Sequence, residues 1–438
     1  MRSHIRKFDE TQQYEDYKES TKFTRPNVSY TLDNRQVRYM KADHTLTFVA
    51  KEAGSTIKIV KITDESYTGS DISAVSLEYS TNSGATWQTY TLDTTITLQD
   101  IDDSVKFRGI NSTPFANRTG DYAVYHNFVM TGRIIGKGDI TSLINNVGGN
   151  VPIPAQYMFY KLFQNCTALV ESPKLPSTTL TAHCYRHMFL GAGLIECPVL
   201  PAPTLVTYCY QAMFENCLSL VKGPELPVLT LASNCYAYMF YGCTSLVTAP
   251  ALPATTLATY CYSNMFRGCT ALINPPQLNA TIPSTATYCY YYMFYGCTAL
   301  VTPPALPSTS LASYCYSCMF YGCNNMTSAP ELPATTLQTN CYNQMFRACT
   351  KITASPILRA ATLVYRCYYY MFYSCSKLET VTALFTTTPG TDLTNYWLYN
   401  TKSTGIFYKN QSATWDDGIT RSTSNVPANW TIETYSGS

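Results

Sequence analysis

The chain has 438 residues, of which 13% are charged, and a formal net charge of +2. That length allows roughly two to four domains, and the charge balance offers neither a basic excess for nucleic acid nor an acidic tail. No apolar run reaches the ~18 residues of a membrane span, and the charged start Met1–Glu10 is not followed by an apolar stretch. Neither membrane insertion nor export by the usual route is therefore expected.

Residues 1–36 are polar and mixed in charge, with Tyr14, Tyr17, Phe23 and Pro26 as sparse anchors. Two readings stand: a frayed terminus, or an N-terminal attachment arm that orders against a partner. Residues 37–110 alternate in the strand manner through Thr45–Val49, Thr56–Val60, Leu77–Ser80, Trp87–Tyr90, Ile96–Leu98 and Val105–Arg108. The turn signal Asn82-Ser83-Gly84 lies among them, and the pattern predicts a small β-sandwich. Residues 111–157 are expected to join this module to a downstream solenoid and to cap its first coil.

From Met158 onward one phrase recurs about every 26 residues, the mark of a stacked-repeat solenoid. Its clearest copy runs Cys235-Tyr236-Ala237-Tyr238-Met239-Phe240-Tyr241-Gly242-Cys243-Thr244-Ser245-Leu246. Others begin at Cys184, Cys209, Cys261, Cys289, Cys315, Cys341 and Cys367, and a degenerate one begins at Met158, which makes nine units over 158–383. With the first Cys as position 1, Cys, Met and Cys fall at 1, 5 and 9, and Tyr and Phe at 2 and 6. Spacings of four place each set on one face of a short helix. Gly242, Gly268, Gly296 and Gly322 at position 8 suit a left-handed residue ending that helix. Proline-rich extended runs such as Ala249–Pro253 come next, with Leu252 and Leu257 pointing inward. Strands of successive coils are then expected to stack at about 4.8 Å.

All 18 cysteines lie between Cys166 and Cys375. Eight positions along a helix span about 12 Å, beyond the roughly 7 Å a bridge allows, so buried reduced thiols are expected. Residues 384–438 lose the repeat but carry Trp397, Trp415 and Trp430, and they read as a C-terminal cap.

The pattern Cys-Tyr-x-x-Met-Phe-x-Gly-Cys-Thr-x-Leu, with Pro-x-Leu-Pro-x-Thr-Thr-Leu after it, resembles the BspA-type leucine-rich repeats of gut and oral bacterial surface proteins and of some of their phages. The phrase Leu77–Trp87 resembles a module that often precedes such repeats. The resemblance implies a helix-and-strand solenoid and a role in adhesion or recognition rather than catalysis. The expected fold is an α/β repeat solenoid with an N-terminal small β-sandwich and a C-terminal cap.

Signals for chemistry are few. His183 and His187 flank Cys184 at a chelating spacing but fall at variable positions, which favours an ordinary exposed pair. Cys315 and Cys318 form a lone CxxC, with Cys318 at a variable position expected to be exposed. Asp416-Asp417 reads as a solvated acid pair. No catalytic residue, metal or cofactor is expected. Tyrosine dominates the variable positions: Tyr208, Tyr260, Tyr288 and Tyr314 precede the first Cys, and Tyr241, Tyr295, Tyr321 and Tyr373 occupy position 7. In register they form rows, read either as packing between coils or as a recognition strip for glycan or protein.

The expected function is that of a non-enzymatic virion structural protein of a tailed phage, as a fibre, appendage or collar component. Residues 1–110 would hold it to other virion proteins, and the repeats would meet a host-surface glycan or protein. Assembly in the host cytoplasm suits the missing export signal. The alternative is a bacterial cell-surface adhesin. No nucleic-acid partner is expected, and the oligomeric state stays open, since no heptad run supports a coiled coil.

Overall fold

A computed structural model describes residues 30–32, 35–37, 43–414 and 426–437. The chain divides into two compact units, Met1–Asp43 and His44–Ser438. In the first, β1 (Tyr30–Leu32) and β2 (Arg35–Val37) form an antiparallel hairpin with Tyr30 opposite Val37. Tyr14, Tyr17, Phe23 and Pro26 lie outside the described residues.

The second unit opens with β3 (Leu46–Ala50), β4 (Ser55–Thr63), β5 (Leu77–Ser80), β6 (Gln88–Thr89), β7 (Ile96–Leu98) and β8 (Ser104–Gly109). These coincide with the six alternating runs of the sequence. Strands β9 (Ala116–Thr119), β10 (Tyr122–Thr131) and β11 (Ile134–Lys137) come next, then the single turn of helix α1 (Ser142–Asn145). One sheet has the order β7-β4-β10-β9. The other runs from β11 through β3, β8 and β5 to β6, and β12 (Leu169–Glu171) extends it beside β11. The two meet across Phe48, Phe107 and Phe128, with ring centroids of Phe128 5.2 Å from Phe48 and 5.5 Å from Phe107.

The segment 111–157 is therefore more than a connector, because it contributes three strands to these sheets. It escaped the strand pattern because β10 does not alternate. Ala123 through Phe128 are all buried, since the face turned away from Phe48 is covered by Tyr160 of the first coil. The same segment also starts the solenoid. Ile134 of β11 pairs antiparallel with Ala50 and parallel with Leu169 of the first repeat. The backbone amides of Phe115 and Phe128 donate to the carbonyls of Met158 and Leu162, as a preceding coil would.

In the repeats the expected helices are replaced by something else, and among the described residues α1 is the one α-helix. Each coil carries linked tight turns with a left-handed residue at positions 0, 4 and 8, as in Asn234, Tyr238 and Gly242 with φ of 57°, 60° and 71°. Amides at odd positions close these turns: Ala237 donates to Asn234, Met239 to Tyr236 and Cys243 to Phe240. Amides at even positions reach the next coil instead: Tyr236 to Cys261, Tyr238 to Ser263, Phe240 to Met265 and Gly242 to Arg267, at 2.8–3.1 Å. A helix would return every amide to its own coil four residues back and leave nothing to join neighbours. Linked turns keep the same four-residue spacing, so Cys235, Met239 and Cys243 still share one buried side, as do Tyr236 and Phe240.

That side builds two internal columns of rings. Phe128, Phe163, Phe189, Phe214 and their successors to Phe372 stack at 5.0–5.8 Å. Tyr185, Tyr210, Tyr236 and onward to Tyr368 stack at 5.7–6.1 Å. All 18 cysteines are free. At position 9 the thiol donates to the position-6 carbonyl of the preceding coil, as from Cys269 to Phe240 and from Cys297 to Phe266, both 3.1 Å. That carbonyl thus uses both lone pairs, one for its own turn and one for the thiol.

The expected stack of strands also thins out. Between most coils it is reduced to single parallel bridges, such as Lys222 to Thr248 and Thr230 to Thr256. Prolines such as Pro250 and Pro253 lack the donors a ladder needs. Leu252, Leu257 and Leu311 are nonetheless buried, as their spacing implies. Regular pairing returns near the C-terminus, where β13 (Ala354–Leu358), β14 (Thr380–Ala383), β15 (Gly405–Lys409) and β16 (Trp430–Thr434) form a parallel sheet.

The C-terminal region begins with a tenth, disguised coil. Tyr368, Tyr370, Phe372 and Ser374 donate to Leu393, Asn395, Trp397 and Tyr399, the pattern of every earlier joint. Tyr396 and Asn400 are left-handed. Trp397 is fully buried and closes the tyrosine column, 6.4 Å from Tyr368. Trp430 is also buried and its indole N–H donates to the Lys402 carbonyl, whereas Trp415 and Asp416-Asp417 fall outside the described residues.

Candidate recognition face

The turn side of each coil directs positions 1, 2, 5, 6 and 9 inward and brings position 7 and most of position 0 to the surface, while positions 3 and 4 range from buried Ala237, Ser263 and Cys318 to half-buried Tyr291, Tyr292 and Tyr370. All eight tyrosines singled out from the sequence are half-buried there. At position 0, Tyr260, Tyr288 and Tyr314 stack face to face at 4.5 and 4.4 Å. Tyr208 belongs to a separate stack, on His183 at 4.5 Å, with Tyr157 beyond it. Asn234 occupies position 0 between these two stacks.

At position 7 the tyrosines do not form an unbroken row, and arginines fill the gaps. The guanidinium of Arg267 lies 5.5 Å from the Tyr241 ring and 4.5 Å from that of Tyr295. Tyr295 meets Tyr321 at 4.6 Å. Arg347 lies 5.0 Å from Tyr321 and 4.6 Å from Tyr373, and Tyr373 stacks on Tyr399 at 5.2 Å. Each guanidinium is held between two rings, with further support from Tyr292 or Tyr370 at position 4. The packing reading of the tyrosine rows is thus visible, and the outer edges of the same rings remain open to solvent.

The arginines were missed by a search for tyrosine alone. Their signal was available, because Arg267 and Arg347 hold the same repeat position as Tyr241. Tyr399 was missed because the tenth coil lacks cysteine. Burial between Tyr260 and Tyr314 pushes the Tyr288 phenol up to about 12, so it stays protonated as a hydrogen-bonding group.

The cysteines offer little reactivity. Burial pushes the thiols of Cys217, Cys261 and Cys323 up to about 12, far from the thiolate form a nucleophile needs. Cys318 is buried rather than exposed, next to Ser317. His183 and His187 are likewise not an exposed pair, since both are half-buried against Tyr157, Tyr208 and Tyr160. Burial first, then the nearby Arg186, holds them down to about 4 and about 3, so both rings are neutral near pH 7.

No curated protein matches the sequence. Among solved structures, the crystal structure of the TLR13-ssRNA13 complex is similar at 12% identity with a TM-score of 0.23, over 64% of this chain and 45% of that one. The family described as BspA type leucine-rich repeat region (6 copies) matches residues 150–273 and again 274–418, the second match running through the tenth coil. With its repeats, columns and family match in agreement over more than half its length, the chain belongs to the BspA-type leucine-rich repeat proteins.

Proposed function

We propose that this is a non-enzymatic virion structural protein of a tailed phage, a fibre, appendage or collar component. Its repeats present the ring-and-guanidinium face to a host-surface glycan or protein, and residues 1–110 attach it to other virion proteins. The observation that carries the recognition role is the row Tyr241–Arg267–Tyr295–Tyr321–Arg347–Tyr373–Tyr399, which combines flat apolar surface with fixed donors. Aromatic rings and arginine are the side chains that interfaces favour. Assembly in a reducing cytoplasm is favoured over export by 18 free cysteines.

Mass spectrometry of purified particles should find the chain in fixed stoichiometry with capsid and tail proteins. Removal of residues 1–43 should abolish incorporation while leaving the repeats folded by circular dichroism. Recovery of the chain in the bacterial envelope, with none in particles, would replace this reading with the cell-surface adhesin.

A further inference from the structure

Between Tyr157 and Tyr314 the position-0 row of rings is broken at one coil, and beyond it Asn340 and Arg366 end the row. Rings stand at Tyr157, His183 and Tyr208, and again at Tyr260, Tyr288 and Tyr314, with successive stacked centroids 4.4–4.5 Å apart. Asn234 interrupts them, so a slot one ring wide opens between Tyr208 and Tyr260. The slot belongs to a groove of ≈ 720 Å³ that reaches across to Arg118 and Arg186.

Beneath the walls of the groove lie polar atoms that have no partner. Nε of Arg118, Nε of Arg186, Nδ1 of His183 and Oε1 of Gln211 are buried without a hydrogen bond. Arg186 makes no ion pair among the described residues. Arg118 has Asp121 at 3.2 Å, but that carboxylate is 96% exposed. Lys161, outside the groove lining, is paired with Asp64 at 3.8 Å. The remaining acid near Arg186 is Glu215, which burial pushes up to about 7, so its opposing charge is only partial at neutral pH. A half-buried guanidinium without a carboxylate is costly unless an anion joins it.

We propose that this groove binds a sugar carrying a carboxylate, with the pyranose ring in the slot at Asn234 and the carboxylate on Arg186 and Arg118. Tyrosine faces on either side suit the apolar face of a pyranose. Ser233, Asn234 and Gln211 supply the donors and acceptors that sugar hydroxyls need. The inference rests on the repeats being a recognition surface, but not on which particle or cell carries the chain.

The test is calorimetric titration of the full chain with a glucuronate-terminated disaccharide, the matching glucose-terminated disaccharide and inorganic sulfate. The acidic disaccharide should bind at least tenfold more tightly than either of the others, and added salt should weaken it. Arg186→Gln should lower its affinity at least tenfold. Asn234→Tyr should abolish binding by completing the stack, and it is compatible with the fold because left-handed tyrosine already occupies position 0 in Tyr208, Tyr260, Tyr288 and Tyr314. Equal affinity for the charged and neutral sugars, binding of sulfate as tight as that of the sugar, or full affinity in Asn234→Tyr would each overturn the proposal. None of these results depends on particle composition, so failure here is separable from failure of the virion reading.

Discussion

His187 shows how one side chain in this fold reports on its surroundings. It sits at a left-handed position, packs against Tyr160, and is held neutral by burial and by the charge of Arg186. An unfolded histidine titrates near 6.5, so protons prefer the unfolded chain in the range below that value. The stabilising contribution of His183 and His187 is complete above about pH 6.5 and is lost as the pH falls toward about 4 and about 3. Glu215 acts in the opposite sense. Its folded value, raised to about 7, means that acidification from about 7 to its ordinary 4.5 relieves a penalty. Two imidazoles outweigh one carboxyl, so the melting temperature should fall between pH 6.5 and 4. His187→Gln should flatten that dependence, and glutamine is acceptable at this position because Gln344 already holds it in another coil. Identical pH profiles for variant and parent would remove the assignment. The sequence located both histidines but not their environment, since the rings that cover them come from coils about 26 residues away on either side.

At the level of the coil, periodicity was legible and conformation was not. Every buried position read from the four-residue spacing, from Cys235 to Leu246, is buried. Spacing alone cannot separate a helix from linked turns, because both return a side chain to the same side every fourth residue. The distinguishing information lies in amide partners one coil away. A local signal did exist: Asn216, Asn264, Asn340 and Asn400 share the left-handed positions with the glycines, and asparagine adopts that conformation more readily than most residues. The coil starting at Cys184 adds a second lesson. It is one residue shorter than its neighbours, and Gly193 makes the shortcut. A Cβ there would stand 2.0 Å from the Thr167 carbonyl oxygen, whereas at Gly296 it would meet nothing within 4 Å. Gly193→Ala should therefore destabilise by about 1–3 kcal/mol, as overpacking does. Gly296→Ala should cost only about 1 kcal/mol for its left-handed backbone. Urea unfolding of the two variants side by side tests the order, and equal midpoints would contradict it.

Across the second unit, stability is a matter of joints and ends. Each coil hides its apolar side only against its neighbours, so an exposed terminal face is a liability. At the N-terminal end, Phe115 and Phe128 supply amides and rings to the first coil. At the other end, Trp397 covers Tyr368, and β15 and β16 continue the sheet. Trp397 and Trp430 set the C-terminal region apart in the sequence. That it starts as another coil was hidden, because Leu393 and Trp397 replace the Cys and Met that mark the others. A chain ending at Ala383 should expose the Tyr368 and Phe372 side and self-associate, as light scattering would show. A chain lacking residues 1–43 should gain no such tendency to self-associate. A monodisperse truncated chain with an unchanged melting temperature would disprove the capping role. The even-position amides have a further consequence. On the turn side they all point toward the C-terminus, so along that side a cut through the array offers backbone amides on one surface and carbonyls on the other, while some amides of the extended runs, such as Thr256 to Leu229 and Ile273 to Val247, point the opposite way. Along the turn side like surfaces are mismatched, and that side of the array has a built-in sense of direction. Duplicating a whole coil in the gene would lengthen the array while keeping this bond pattern, whereas two arrays cut on the same side of a joint and brought face to face would find turn-side donors opposite donors.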